Sequence, residues 1–167
     1  MPVSNSSPLI HLARFGKLVY ARQVFSSIEI PPAVRAETIA RGKSEGYGDA
    51  LALEVLEREG WLKTCDLSPR SVGIARELSD AVGAGEAEAI ALAVERKERL
   101  FIDDLRGRRA AGFYGVETTT TLGLMLELLA VRALTGVDYK KNVKNYGSQG
   151  WISGDIIQEF VDRGEDL

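Results

Sequence analysis

Apolar positions in this chain fall into short continuous runs separated by longer stretches with three- and four-residue spacing, the pattern of buried strands alternating with amphipathic helices. The amino end predicts a very short strand that turns straight into a helix. Ser7 is its expected N-cap, Pro8 its first helical residue, and Gly16 its stop, with an apolar face of Leu9, Ile10, Leu12, Ala13 and Phe15. Asn5 then falls at the strand's carboxyl end. A small helix over about 17–24 precedes a strand over 27–30, which Pro31 and Pro32 stop before starting a helix that carries Val34 and Glu37 on one face. The polar stretch 42–48, with three glycines, predicts a loop or flexible elbow, and Tyr47 and Gly48 within it are candidates to move over a substrate.

Beyond it, Ala50, Leu51, Leu53, Val55 and Leu56 predict an amphipathic helix ending near Gly60, followed by a strand over 61–65 and a helix from Ser68-Pro69 through Leu78. The segment from Gly83 to Gly85 breaks the chain before a helix that aligns Glu86 with Ile90, Ala93 and Val94. Residues 100–102 read as a strand buried on both faces, 105–113 as a helix with Arg106, Arg108 and Arg109 near its start, and 116–119 as a last strand. Thr120-Thr121 leads into an apolar helix over 122–134, whose surface is expected to be core. Two further helices, 138–146 and 153–163 with Ser153 as N-cap, flank a turn over 147–150. Strands separated by helices predict a parallel sheet with helices on both faces, and sites in such folds form outside the carboxyl ends of strands.

The 167 residues suit one domain, 1–167, with the helices from about 138 onward as an appended element. A net charge of -3 argues against holding nucleic acid by bulk charge alone, although it leaves room for a local basic patch. Cys65 is the single cysteine, so no internal disulfide can form and a reducing compartment is expected. Without a signal-like start or a membrane-length apolar run, the expected location is the cytoplasm, with no membrane partner.

The predicted strand ends bring five residues toward one sheet edge. Asn5 follows the first strand, Glu37 lies shortly after the second, Asp103 and Asp104 follow the fourth, and Glu86 heads the intervening helix. Such a group of carboxylates would repel itself unless some stay protonated or a cation is present. Mg2+ or Mn2+ suits oxygen ligands and can activate water toward a phosphodiester. Zinc and histidine-based nucleophile sets are disfavoured, because His11 is the only histidine and sits within a helix face. Arg106, Arg108 and Arg109 could grip phosphate, and Lys140, Lys141 and Lys144 form a second basic cluster. Each acid also has an ordinary explanation: Glu86 favours a helix dipole, Asp103 and Asp104 could cap a helix, and Glu37 could pair with Arg41.

In order and spacing, VSNSSPLI, IPPAVRAET, GAGEAEAIALA, LFIDDLRGRRAAGFYGV and TTLGLMLELL resemble PIN-domain proteins of the toxin–antitoxin (VapC-like) ribonuclease toxin group. The likeness spans nearly the whole chain. It implies a three-layer α/β/α sandwich with a central, mostly parallel, twisted sheet of about five strands. It also implies an Mg2+- or Mn2+-dependent endoribonuclease acting on RNA, frequent homodimers, and a small antitoxin protein as partner. Carried over residue by residue, the acids of that pattern fall on Glu37, Glu86 and Asp104, with Asp103 adjacent, and the first falls on Asn5. Asn5 keeps a carbonyl oxygen but lacks the charge and cannot accept a proton from water. The hydroxyls of Ser6, Thr120 and Thr121 are candidates for auxiliary ligands or phosphate contacts. The expected function is therefore RNA phosphodiester hydrolysis as the toxin of a toxin–antitoxin pair. The rivals are a catalytically impaired PIN-fold protein that binds RNA or a protein partner, and a small-molecule phosphohydrolase.

Overall fold

A computed structural model describes residues 1–148 and 152–167. Five parallel strands, β1 (Val3–Ser4), β2 (Ile28–Ile30), β3 (Leu62–Thr64), β4 (Leu100–Phe101) and β5 (Thr118–Thr119), form one sheet in the order β3-β2-β1-β4-β5. The chain winds outward from β1 to β3, then crosses back to place β4 on the other side of β1. That reversal opens a crevice between the carboxyl ends of β1 and β4, the place where ligands bind in open parallel sheets. Val3 pairs with Leu100 and Ser4 with Phe101, so Asn5 and the aspartates after Ile102 leave the sheet at nearly the same level. The strands are shorter than their apolar runs because pairing, rather than composition, ends a strand. Hydrogen bonds from Asn5 N–H to Phe101 O and from Ile102 N–H to Thr119 O still extend the ladder past the formal ends.

The connecting helices are α1 (Ser6–Arg14), α2 (Leu18–Val24), α3 (Pro32–Arg35), α4 (Gly42–Ser44), α5 (Gly48–Arg58), α6 (Pro69–Leu78), α7 (Ala84–Arg96), α8 (Leu105–Phe113), α9 (Thr121–Ala130), α10 (Gly136–Gly147) and α11 (Gly154–Glu165). A π-helical stretch, Ala36–Arg41, joins α3 to α4 without a break. Helix α7 packs on β1 and β4 with α3, α6 and α8 around it, while α1 packs with α2, α5 and α9. The α/β/α sandwich with a five-stranded parallel sheet is thus as the sequence implies. Its core is continuous through Val3, Leu9, Ile28, Ile30, Ile90, Leu92, Leu100 and Phe101, all at most 1% exposed. A second cluster, Leu122, Met125, Tyr139, Val143, Tyr146 and Val161, joins α10 and α11 to α9. The apolar face of α9 is accordingly interior to the chain.

Several local expectations need correction. Helix α1 begins at Ser6 with Asn5 in the N-cap position, so Ser7 is inside the helix, because strand β1 ends at Ser4 and the helix follows after a single residue. The polar stretch 42–48 is mostly helical: α3, the π stretch and α4 run through Ser44, and α5 already starts at Gly48. Only Glu45–Tyr47 form the turn, since packing of α4 on α5 overrides the loop composition. Helix α9 stops at Ala130, after which Arg132 adopts a left-handed backbone conformation. The expected turn over 147–150 lies partly outside the described residues. Among the described residues no helix is long and apolar enough to cross a membrane.

Candidate metal centre

The crevice at the β1–β4 crossover holds an open cavity lined by Asn5, Ser6, Ser7, Glu37, Gly83, Gly85 and Glu86. Asn5 enters it because the β1 ladder ends there and α1 turns away at once. Its side chain makes no capping bond to α1, and Oδ1 is buried with no hydrogen-bond partner among the described residues. An unpartnered buried carbonyl costs about 1–3 kcal/mol of lost hydration unless something else meets it. Ser6, one residue on, donates its hydroxyl to Glu37 Oε2. The alternative role of Glu37, a pair with Arg41, is not formed among the described residues; Glu37 lies in the π-helical stretch, whose wider turns replace the ordinary four-residue spacing.

Glu86 is held from the opposite wall. It is the third residue of α7 and accepts from the backbone N–H of Gly83 at 3.2 Å, closing the start of the helix. Burial first, and then the neighbouring charges of Asp104 and Glu37, push its carboxyl above the usual range, while the Gly83 bond and Arg106 act in the opposite sense. Glu37, Glu86 and Asp104 therefore share one electrostatic neighbourhood. Asp104 is the N-cap of α8 and accepts from Gly107 N–H at 2.9 Å, and a Cβ on Gly107 would stand 3.7 Å from the Glu86 carboxyl carbon. Both readings of Asp104, cap and site neighbour, hold together.

The paired aspartates part company. Asp103 accepts from Thr121 N–H and from the Thr121 hydroxyl, each at 2.7 Å, which engages both carboxylate oxygens with the start of α9. Asp103 thus anchors the start of α9. Thr121 is fully buried and its hydroxyl is taken, and Thr120 caps α9 by accepting from Gly123 N–H. Neither is among the residues that line the cavity. Of the arginines, Arg106 and Arg109 are exposed and Arg108 is half-buried with an unpartnered Nε, while Arg106 is the one whose charge reaches Glu86. Lys140 pairs with Glu165 at 2.6 Å. His11 is half-buried against Phe15 and Tyr146, where burial lowers its pKa against the opposing charge of Asp103.

Sequence reasoning missed three participants. Gly85 sits where a Cβ would come within 2.7 Å of both Glu37 carboxylate oxygens, so the glycine makes room for that carboxylate. Glu88 reaches across to accept from Ala33 N–H at 2.8 Å, tying α7 to the start of the segment that carries Glu37. Ser7, expected as a helix cap, lines the cavity instead. The repeated small and acidic positions of GAGEAEA were the available signal for the first two.

This donor set fits a hard divalent cation: every candidate ligand is an oxygen, and Asn5 offers one with nothing else to satisfy it. Among the described residues, no three acidic, histidine or cysteine side chains gather closely enough to enclose an ion by themselves. Mg2+ keeps several waters and uses one or two carboxylates, so it does not require such a cage. In comparison with known proteins, no curated protein matches the chain. A family model described as DUF3368, PIN domain, matches residues 1–166. With a crossover crevice lined by Asn5, Glu37 and Glu86, and a match over almost its full length, this chain belongs to the PIN-domain family.

Proposed function

We propose that this PIN domain is an Mg2+- or Mn2+-dependent endoribonuclease that hydrolyses RNA phosphodiesters as the toxin of a toxin–antitoxin pair. The PIN domain is in general a nuclease fold. The observation that carries the reading is the buried, unpartnered Asn5 Oδ1 in a cavity whose other polar walls include Glu37 and Glu86. Glu37, Glu86, Asp104 and the Asn5 carbonyl would hold the ion. When bound, such an ion supplies an activated water and offsets charge developing on the phosphate. The Ser6 hydroxyl orients Glu37, the Gly83 N–H orients Glu86, and Arg106 beside Glu86 is placed to grip a phosphate oxygen. The toxin role, a small antitoxin, a homodimer and a cytoplasmic setting rest on the motif likeness of GAGEAEAIALA and LFIDDLRGRRAAGFYGV.

Cleavage of structured and unstructured RNA in Mn2+ or Mg2+, by wild type and by Asp104→Asn and Glu86→Gln, tests hydrolysis. Both substitutions should abolish it, and equal cleavage by all three would place the chemistry elsewhere. Expression in a bacterial host should arrest growth, and a small protein should co-purify when the neighbouring gene is included. A second reading is favoured by Asn5 itself: with one charge missing, the fold would bind RNA or a protein without cutting. Asn5→Asp separates the two, because a large gain in Mn2+ affinity and cleavage means an impaired site, and little change means a competent one.

A further inference from the structure

A second open pocket adjoins the acid cavity and shares Ser6 and Glu37 with it; its other walls include Arg14, Arg41, Tyr47 and Asp49. Tyr47 is 48% exposed although it belongs to a short turn pinned by its own N–H on Gly42 O at 2.8 Å. Arg14 sets its guanidinium over the ring, 5.9 Å from the centroid, and pairs with Asp49 at 3.4 Å. An aromatic ring fixed by its backbone and left open to solvent contributes little to the core, but it is a ready platform for an unpaired base. Arg41 closes the π-helical stretch that carries Glu37, is exposed, and makes no ion pair among the described residues.

We infer that this pocket is a nucleotide subsite for single-stranded RNA, in which Tyr47 stacks the base next to the scissile position and Arg41 holds its phosphate. The inference rests on the nuclease reading for its substrate, but binding here does not require hydrolysis. The wall carboxylates do not oppose it equally. Asp49 is matched by Arg14, and Glu37 takes the Ser6 hydroxyl and belongs to the metal centre. Glu45 has no ion pair among the described residues, and its carboxylate can accept from the amino group of a base. Stacking on Tyr47 demands a base free of its complement, so duplex RNA is excluded on the same ground.

Fluorescence anisotropy with a labelled single-stranded RNA decamer in EDTA, where no cleavage occurs, tests the subsite on wild type, Tyr47→Ala, Tyr47→Phe and Arg41→Gln. Tyr47→Ala and Arg41→Gln should each weaken binding roughly ten-fold, and Tyr47→Phe, which keeps the ring, should bind as wild type. A duplex of the same sequence should bind more weakly and ignore Tyr47→Ala. In Mn2+, the same two variants should raise KM for cleavage more than they change kcat. Unchanged RNA affinity in both variants would overturn the subsite, as it would if the pocket docked a protein segment instead. Tyr47-dependent binding without any wild-type cleavage would sink the hydrolytic reading alone, whereas wild-type cleavage indifferent to Tyr47 would sink the subsite alone.

Discussion

The Glu88 carboxylate accepts a 2.8 Å hydrogen bond from the backbone N–H of Ala33, across 55 residues of sequence. Ala33 is the second residue of α3, where the helix leaves its N–H groups without internal partners. The two glutamates of GEAEA thus divide the work: Glu86 faces the cavity, and Glu88 fastens the helix that delivers Glu37 to the same cavity. Glu88→Ala should destabilise the fold by about 1–3 kcal/mol and lower RNA cleavage, and Glu88→Gln, which keeps an acceptor, should do less of both. Urea denaturation beside an RNA cleavage assay checks this, and full activity in Glu88→Ala would refute the positioning role.

Gly85 offers a separation of stability from function. A methyl group there would meet both Glu37 oxygens at 2.7 Å, but those oxygens end a flexible side chain and can move aside. Helix α7 itself would gain up to ~1 kcal/mol from alanine in place of glycine. Gly85→Ala should therefore melt at or above the wild-type temperature while losing cleavage roughly ten- to a hundred-fold through a displaced carboxylate. A variant both stable and fully active would show that Glu37 need not occupy its present place.

The raised pKa of Glu86 has a consequence for metal-free protein. Below the ordinary value of 4.5 the carboxyl is protonated in folded and unfolded chains alike. As pH rises through 4.5 the unfolded chain ionises first, so stability falls until pH passes the raised folded value, and then levels off. Glu86→Gln, which retains an acceptor for Gly83, should be more stable than wild type at neutral pH in EDTA, with the advantage vanishing on acidification. Thermal unfolding across pH 3 to 8 or thereabouts would reveal the trend. Added Mn2+ should reverse the ranking at neutral pH, and its failure to do so would remove Glu86 from the ligand set.

Adjacent aspartates should give opposite phenotypes. Asp103→Asn leaves one oxygen where two accept from Thr121, and should cost about 1.5–3 kcal/mol of stability with Mn2+ affinity nearly unchanged. Asp104→Asn keeps the cap on Gly107 through its remaining oxygen, so stability should hold while Mn2+ affinity and cleavage fall. Calorimetric Mn2+ titration of the two variants would exchange their assigned roles if Asp103→Asn proved the weaker binder.

Much of this protein is determined by short-range physics and is therefore readable in the chain. Helices α6 and α8 lie where Ser68-Pro69 and the glycine-bounded segment before Gly115 place them, because caps, proline and apolar spacing act within a few residues. The βα alternation fixes parallel strands, and the strand ends with the head of α7 nominate Asn5, Glu37, Glu86, Asp103 and Asp104. Tertiary packing decided the rest. Whether Gly42 begins a loop or continues a helix depended on its packing against Ala50 of α5. Asp103 and Asp104 are neighbours in sequence, yet their fates diverge because successive residues leaving a strand face different ways, and only the fold brings Thr121 to meet one of them. The glycine-led acidic helix marks where chemistry would occur, but the room beside Gly85 and the oxygen left unpartnered on Asn5 exist only once distant segments close on the same crevice.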